Sequence, residues 1–233
     1  VNVRAGAGLS RARPVVAIDG PAGSGKSSVA KEVARRLGFK YVDTGAMYRS
    51  VAAKALQEGT DPHDEGKVTD LAEKIDIEFR HSDGKHEVIV DGDDFTETIR
   101  TPEATWASSI VSTFSGVRER MVERQRVMGA EGGIVVEGRD VQTVVFPSAE
   151  VKIFLDASPE VRAKRRLKDE EAAKRKVEEE QVLSELRERD KHDSTRTNSP
   201  LKAAPDAVII DTSDKTFEEV VDQVLELVAP HIP

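Results

Sequence analysis

Apolar residues follow two rhythms along this chain. Short, mainly apolar runs at 14–19 (PVVAID), 41–42, 134–136, 151–155 and 207–210 have the look of strands buried on both faces. Between most of them, apolar residues recur three and four apart. The first such stretch, 27–37, lines Val29, Ala30, Val33, Ala34 and Leu37 along one side and ends at Gly38, a natural helix stop. Further amphipathic helices are expected over 46–57, 117–128, 159–175 and 217–228. Strand alternating with helix predicts a parallel sheet with helices on both faces.

The rhythm changes in one segment. At 74–79 (KIDIEF) and 86–90 (HEVIV) apolar and polar residues alternate, as in half-exposed antiparallel strands. Ser82, Asp83 and Gly84 supply a turn between them, and Asp91-Gly92 is a hairpin signal leading into 93–95. A small β-meander inserted over about 62–100 is therefore expected. Residues 162–196 are dense in charge and poor in large apolar side chains, which predicts two exposed, weakly packed helices. The first 13 residues lack the apolar stretch of a signal peptide and read as a loose tail.

Between the first strand and the first helix lies Gly20-Pro21-Ala22-Gly23-Ser24-Gly25-Lys26-Ser27, which satisfies G-x-x-x-x-G-K-[ST]. Strand before and helix after is the context this phosphate-binding pattern requires. Its glycines let the backbone curl so that successive N–H groups converge on an anion, in line with the positive end of the helix dipole. Lys26 can reach β- and γ-phosphates, and the Ser27 hydroxyl is placed to ligate Mg²⁺. The loop alone does not separate kinases from other nucleotide hydrolases. The chain lacks N-K-x-D, D-x-x-G and LSGGQ-like segments, so a small-molecule kinase gains by elimination.

Composition narrows the partners. A hydrophobic share of 38% is enough to bury a core, and the formal net charge of -8 argues against wrapping polymeric nucleic acid. The absence of cysteine excludes disulfides and thiolate metal sites. No run of 18 apolar residues is present, so no membrane helix is expected, and the cytoplasm is the expected location.

Charged groups gather where strands end. One strand closes at Asp43 and a helix follows, with Thr44 placed to cap it and Tyr48 and Arg49 one turn on. Another closes in Glu137-Gly138-Arg139-Asp140, and Arg118 sits on the helix before it. Arg162, Arg165, Arg166, Arg189 and Arg196 stud the charged region. Most such arginines belong to solvated faces, yet phosphoryl transfer needs several cations, and guanidinium forks suit phosphate oxygens.

In order along the chain, IDGPAGSGKSSVAKEVARRLGFKYVDTGAMYR, IRTPE, VVEGRDVQTVVFP and VKIFLDASPEVRAKRR resemble the bacterial cytidylate kinases. The resemblance implies an α/β P-loop fold of three layers, a central parallel sheet flanked by helices, with the antiparallel meander and a helical lid. Residues 14–61, 101–158 and 197–233 would form the ATP-binding core, 62–100 the monophosphate-binding insert and 159–196 the lid. The implied reaction carries the γ-phosphoryl group of MgATP to CMP or dCMP. ATP would lie on Gly20 to Ser27, with Ser28, Arg165 and Arg166; the metal would reach Ser27 through phosphates and water. Thr44, Tyr48, Arg49, Ser109, Arg118, Arg139, Asp140, Arg189, Asp193 and Arg196 match the monophosphate site, and Lys26, Arg139, Arg165 and Arg189 would be catalytic. A mixed donor and acceptor set such as Ser, Arg and Asp suits cytosine, which offers an amino donor beside two acceptors. Two departures stand out: Thr44 replaces a common Ser, and Gln142 stands where a glycine is frequent, so no role is assigned to the backbone there. A monomer is expected. A kinase for UMP, AMP or shikimate, a nucleotide-driven switch and an inactive scaffold remain the alternatives.

Overall fold

The computed structural model describes residues 11–82, 85–172 and 177–232. Residues 1–10 of the expected tail, Asp83 and Gly84 of the expected turn, and the end of the helix expected to 175 lie outside these. The chain forms two compact units, one of residues up to 41, 129–195 and from 201 on, the other of residues 42–128 and 196–200.

The first unit is built on a five-stranded parallel sheet in the order β2-β6-β1-β7-β8. Its strands are β1 (Val15–Asp19), β2 (Lys40–Asp43), β6 (Ile134–Gly138), β7 (Val151–Asp156) and β8 (Val208–Asp211). Central β1 and its neighbour β6 are buried along their whole length, which is why both read as unbroken apolar runs. They pair in register from Val15 with Ile134 to Asp19 with Gly138, so both carboxyl ends stop at one level. Helix α1 (Lys26–Leu37) starts directly from the phosphate loop, and Gly38 ends it in the left-handed conformation. Val16, Ile18, Val29, Val33, Val135, Ile153 and Leu155 form the core together with Val221 and Val224 of α8 (Phe217–Val228). Thr216 and Glu219 close a reciprocal capping box at the start of α8.

The charged region forms α6 (Pro159–Ala172) and α7 (Glu179–Thr195). The expectation of weak packing needs correction. Ala163, Val182 and Leu186 make a small apolar core there, and Arg162 is 3% exposed rather than solvated.

The second unit has its own core. Helices α2 (Thr44–Gln57), α3 (Glu65–Lys74), α4 (Pro102–Val111) and α5 (Ser115–Met128) accompany an antiparallel sheet of β3 (Ile77–Ser82), β4 (Lys85–Val90) and β5 (Asp93–Asp94). Met47, Val51, Val68, Ile77, Val88, Val90, Phe95 and Met121 are buried in one cluster. Residues 65–74 are therefore helical where the meander was expected. Asp64 caps this helix through the Lys67 N–H at 3.1 Å, and only Val68, Leu71 and Ala72 mark its inner face. Because α3 runs to Lys74, β3 begins at Ile77 rather than 74. Helix α4, which the apolar spacing did not single out, has Thr101 as cap and Pro102 at its first position.

Candidate active site

The phosphate loop leaves β1 and enters α1, whose first turn carries no acidic residue to compete for the positive end of the dipole. Lys26 is buried at the start of α1, and its Nζ donates to the Pro21 carbonyl at 3.2 Å. The same ammonium lies 3.9 Å from Oε2 of Glu137, the buried acid near the end of β6. Glu137 in turn accepts from the Tyr41 hydroxyl at 2.9 Å. The charge on Lys26 is thus balanced while its donors remain at the loop. Ser27 and Ser28 follow on the first turn of α1.

Arg165 donates to the Thr212 carbonyl and hydroxyl at 2.6 and 2.9 Å, and to the Ser24 carbonyl of the loop at 3.4 Å. Arg166 pairs with Glu170 one turn along α6. Arg189 and Asp193 lie on α7.

The turn after β6 is held by two carboxylates. Asp193 takes the Arg139 Nε at 2.9 Å, while Arg139 Nη1 donates to the Gly138 carbonyl at 3.2 Å. Asp19, wholly buried at the end of β1, accepts the Val141 N–H on one oxygen at 3.0 Å and the Gln142 N–H on the other at 2.9 Å. Burial pushes the Asp19 carboxyl up to about 7, against the lowering effect of the two amide bonds and with added repulsion from Asp140. Asp140 is buried at the head of the short π-helical turn 141–145. The backbone at 142, to which the sequence assigned no role, has one: its N–H is one of the two that secure Asp19. The Gln142 side chain donates to the Ile153 carbonyl at 3.1 Å and accepts the Ala204 N–H at 2.9 Å. An amide side chain there ties the turn to β7 in a way that glycine could not.

In the second unit, Asp43 rather than Thr44 caps α2. Asp43 is extended at the strand end, and its Oδ1 accepts the Ala46 N–H at 2.8 Å, whereas Thr44 is already the first helical residue and is buried. The other oxygen, Oδ2, takes Arg49 Nη2 at 2.9 Å. A Cβ at Gly45 would lie 2.9 Å from Arg49 Nη1, so a larger residue there would push the guanidinium aside. The Arg118 guanidinium is buried with its carbon 5.6 Å from the Tyr48 ring centre, and its Nη1 donates to the Ser112 carbonyl at 3.3 Å. Ser109 donates to the Thr105 carbonyl at 3.4 Å, and Arg196 Nε to the Ser199 carbonyl at 2.6 Å.

The sequence profile of the cytidylate kinase family matches residues 16–230. The chain belongs to the cytidylate kinase family. A cytidylate kinase of Caldicellulosiruptor bescii is 44% identical over 212 residues, covering 91% of this chain and 94% of that protein. One from Desulforamulus reducens is 49% identical over 210 residues, covering 90% and 94%. Among solved structures, an uncharacterized protein from Eubacterium ventriosum matches with a TM-score of 0.50 at 13% identity, covering 93% of this chain and 99% of that one. At that identity the likeness speaks for the fold alone.

Within this cytidylate kinase family member, the residues that support the expected site were the ones sequence reasoning missed. Asp19, Glu137, Asp43 and Asp190 received no role, although Asp19, Glu137 and Asp43 end or nearly end apolar strands, where an acid is conspicuous. Among the described residues, no helix is long and apolar enough to cross a membrane.

Proposed function

We propose that this member of the cytidylate kinase family transfers the γ-phosphoryl group of ATP to CMP or dCMP, giving ADP and CDP or dCDP. One observation carries the reading. The phosphate loop and the Arg139-Asp140 turn leave adjacent strands at one level, since Asp19 pairs with Gly138. A triphosphate cradle and a carboxylate-braced arginine thereby share one sheet edge, where α/β folds place their ligands.

The reading assigns the triphosphate to the backbone of residues 20–25, to Lys26, Ser27 and Ser28, and to Arg165 and Arg166. It assigns the monophosphate to Arg139, Asp140, Arg189 and Asp193 of the first unit, and to Thr44, Tyr48, Arg49, Ser109, Arg118 and Arg196 of the second. The insert over 62–100, the lid over 159–196, the monomeric state and the cytoplasmic location belong to the same reading. The attacking oxygen comes from an acceptor phosphate that is already anionic, so no general base is needed. Lys26 and the arginines then act by alignment and by neutralising charge that spreads over the transferred group. The Ser27 hydroxyl is an oxygen donor that suits a hard cation. Ser27 would hold Mg²⁺, which would supply neutralisation of the phosphate charge there.

ADP release measured with MgATP across CMP, dCMP, UMP, AMP and shikimate tests the assignment. CMP and dCMP are expected to be the fastest acceptors. Faster turnover of another acceptor, or steady hydrolysis with none present, would replace the proposal with one of the alternatives.

A further inference from the structure

A loop that turns its N–H groups toward an anion must turn carbonyls elsewhere, and buried carbonyls need donors. In the phosphate loop the Pro21 carbonyl takes Lys26, and the Ser24 carbonyl takes the Thr212 hydroxyl at 3.2 Å. The Ala22 carbonyl takes Nη1 of Arg162 at 3.1 Å. Arg162 carries the remainder of its guanidinium to the Ala157 carbonyl, 3.0 Å from Nε, and to both carboxylate oxygens of Asp190 on α7, at 3.0 and 2.6 Å. Each of the three nitrogens of this nearly inaccessible cation is therefore engaged, and only one of its partners lies in the loop.

A second contact is independent of these hydrogen bonds. Gly23 has φ of 78°, and a Cβ there would lie 3.0 Å from the Arg162 Cβ and 3.1 Å from its carbonyl oxygen. The first turn of α6 thus rests against the loop backbone at Gly23, while the Arg162 side chain holds the carbonyl of the residue before it. The helix that supplies Asp190 also supplies Asp193, the partner of Arg139.

We infer that Arg162, oriented by Asp190, is a positioning residue that sets the curl of the phosphate loop for the triphosphate and ties the loop to the helix that holds Arg139. This rests on the reading that the loop binds ATP. A different pair, Arg187 with Glu160 at 3.3 Å, also joins α7 to α6 but is exposed and involves no loop atom. It separates loop positioning from simple helix pairing.

Calorimetric binding of ATP, without any acceptor, reads the effect directly. Asp190→Asn should weaken ATP binding about tenfold, the scale of one lost charge-assisted hydrogen-bond pair, with far-UV circular dichroism retained. Glu160→Gln should stay within about twofold of wild type, as expected for an exposed pair. Arg162→Lys keeps a buried cation but cannot serve a carboxylate and two carbonyls in one plane. It should also weaken ATP binding about tenfold, and it carries the test if Asp190→Asn loses its fold. Binding within about twofold in a folded Asp190→Asn or Arg162→Lys protein overturns the inference, as does an equal loss in Glu160→Gln. Rejection of CMP with ATP binding intact removes only the acceptor assignment. Failure of the wild-type chain to bind ATP removes the loop reading and this inference together.

Discussion

The phosphate loop and the turn after β6 start from strand ends in register, yet they are made in opposite ways. The loop is backbone. On the proposed reading its amides meet the triphosphate, and Lys26 is the loop's own charged side chain. The turn is a side-chain construction, in which Asp19 holds two amides and Asp193 holds Arg139. Between them Glu137 takes Tyr41 and balances Lys26. The cradle presents main-chain groups and needs side chains to hold its carbonyls, whereas the carboxylate frame depends on every acid in it. Buried acids of this kind are costly to ionise without partners, so each must be nearly satisfied or it destabilises the fold. On the proposed reading, one sheet edge serves the triphosphate largely by main chain and the acceptor by side chains.

Three substitutions probe that contrast, from the largest effect to the smallest. Lys26→Ala removes the charged side chain carried by the loop itself. It should lower kcat on the order of 10²–10³-fold, the scale of removing one preorganised donor, with secondary structure retained. Near-normal turnover in steady-state assays would mean that the backbone alone suffices. Arg139→Ala removes the group that Asp193 presents. It should reduce kcat/KM for CMP about 10- to 100-fold while the calorimetric Kd for ATP stays unchanged, the loss expected for charge-assisted hydrogen bonds at one site. Equal losses for both nucleotides would blur the division between loop and turn.

Asp19→Asn tests the frame by pH. Burial raises the Asp19 carboxyl from 3.8 to about 7, so the folded protein binds a proton that the unfolded chain releases between those values. Its contribution to stability is fully present below the unfolded value and is lost as pH rises through about 7. Asparagine has no such titration. The melting temperature of the wild type relative to Asp19→Asn should therefore fall as pH is raised from about 5 to about 8. A gap that stays constant or widens would show that the two amide bonds outweigh burial and keep Asp19 ionised.

Much of this was written in local pattern. Apolar runs marked β1, β6 and β7 because a strand covered on both faces favours apolar side chains, and Gly20 to Ser27 announced its chemistry because one short segment contains the phosphate-binding pattern. Helices α3 and α4 escaped because their inner faces carry few large apolar side chains and their starts rest on single caps, Asp64 and Thr101. The capping of α2 by Asp43, the burial of Arg162 and the backbone role of Gln142 were likewise closed to sequence reading.

The sequence by itself determined the alternation of elements, the phosphate loop and, through ordered motifs, the cytidylate kinase family. Those features depend on neighbours within a few residues of each other. Only the tertiary structure decided which acid serves which donor. Asp19 meets residues 141 and 142, Arg139 meets Asp193, and Arg162 meets Ala22 and Asp190, each across a separation that no spacing rule spans. Hydrogen bonds select partners by distance and angle in the folded chain, and a one-dimensional pattern carries neither.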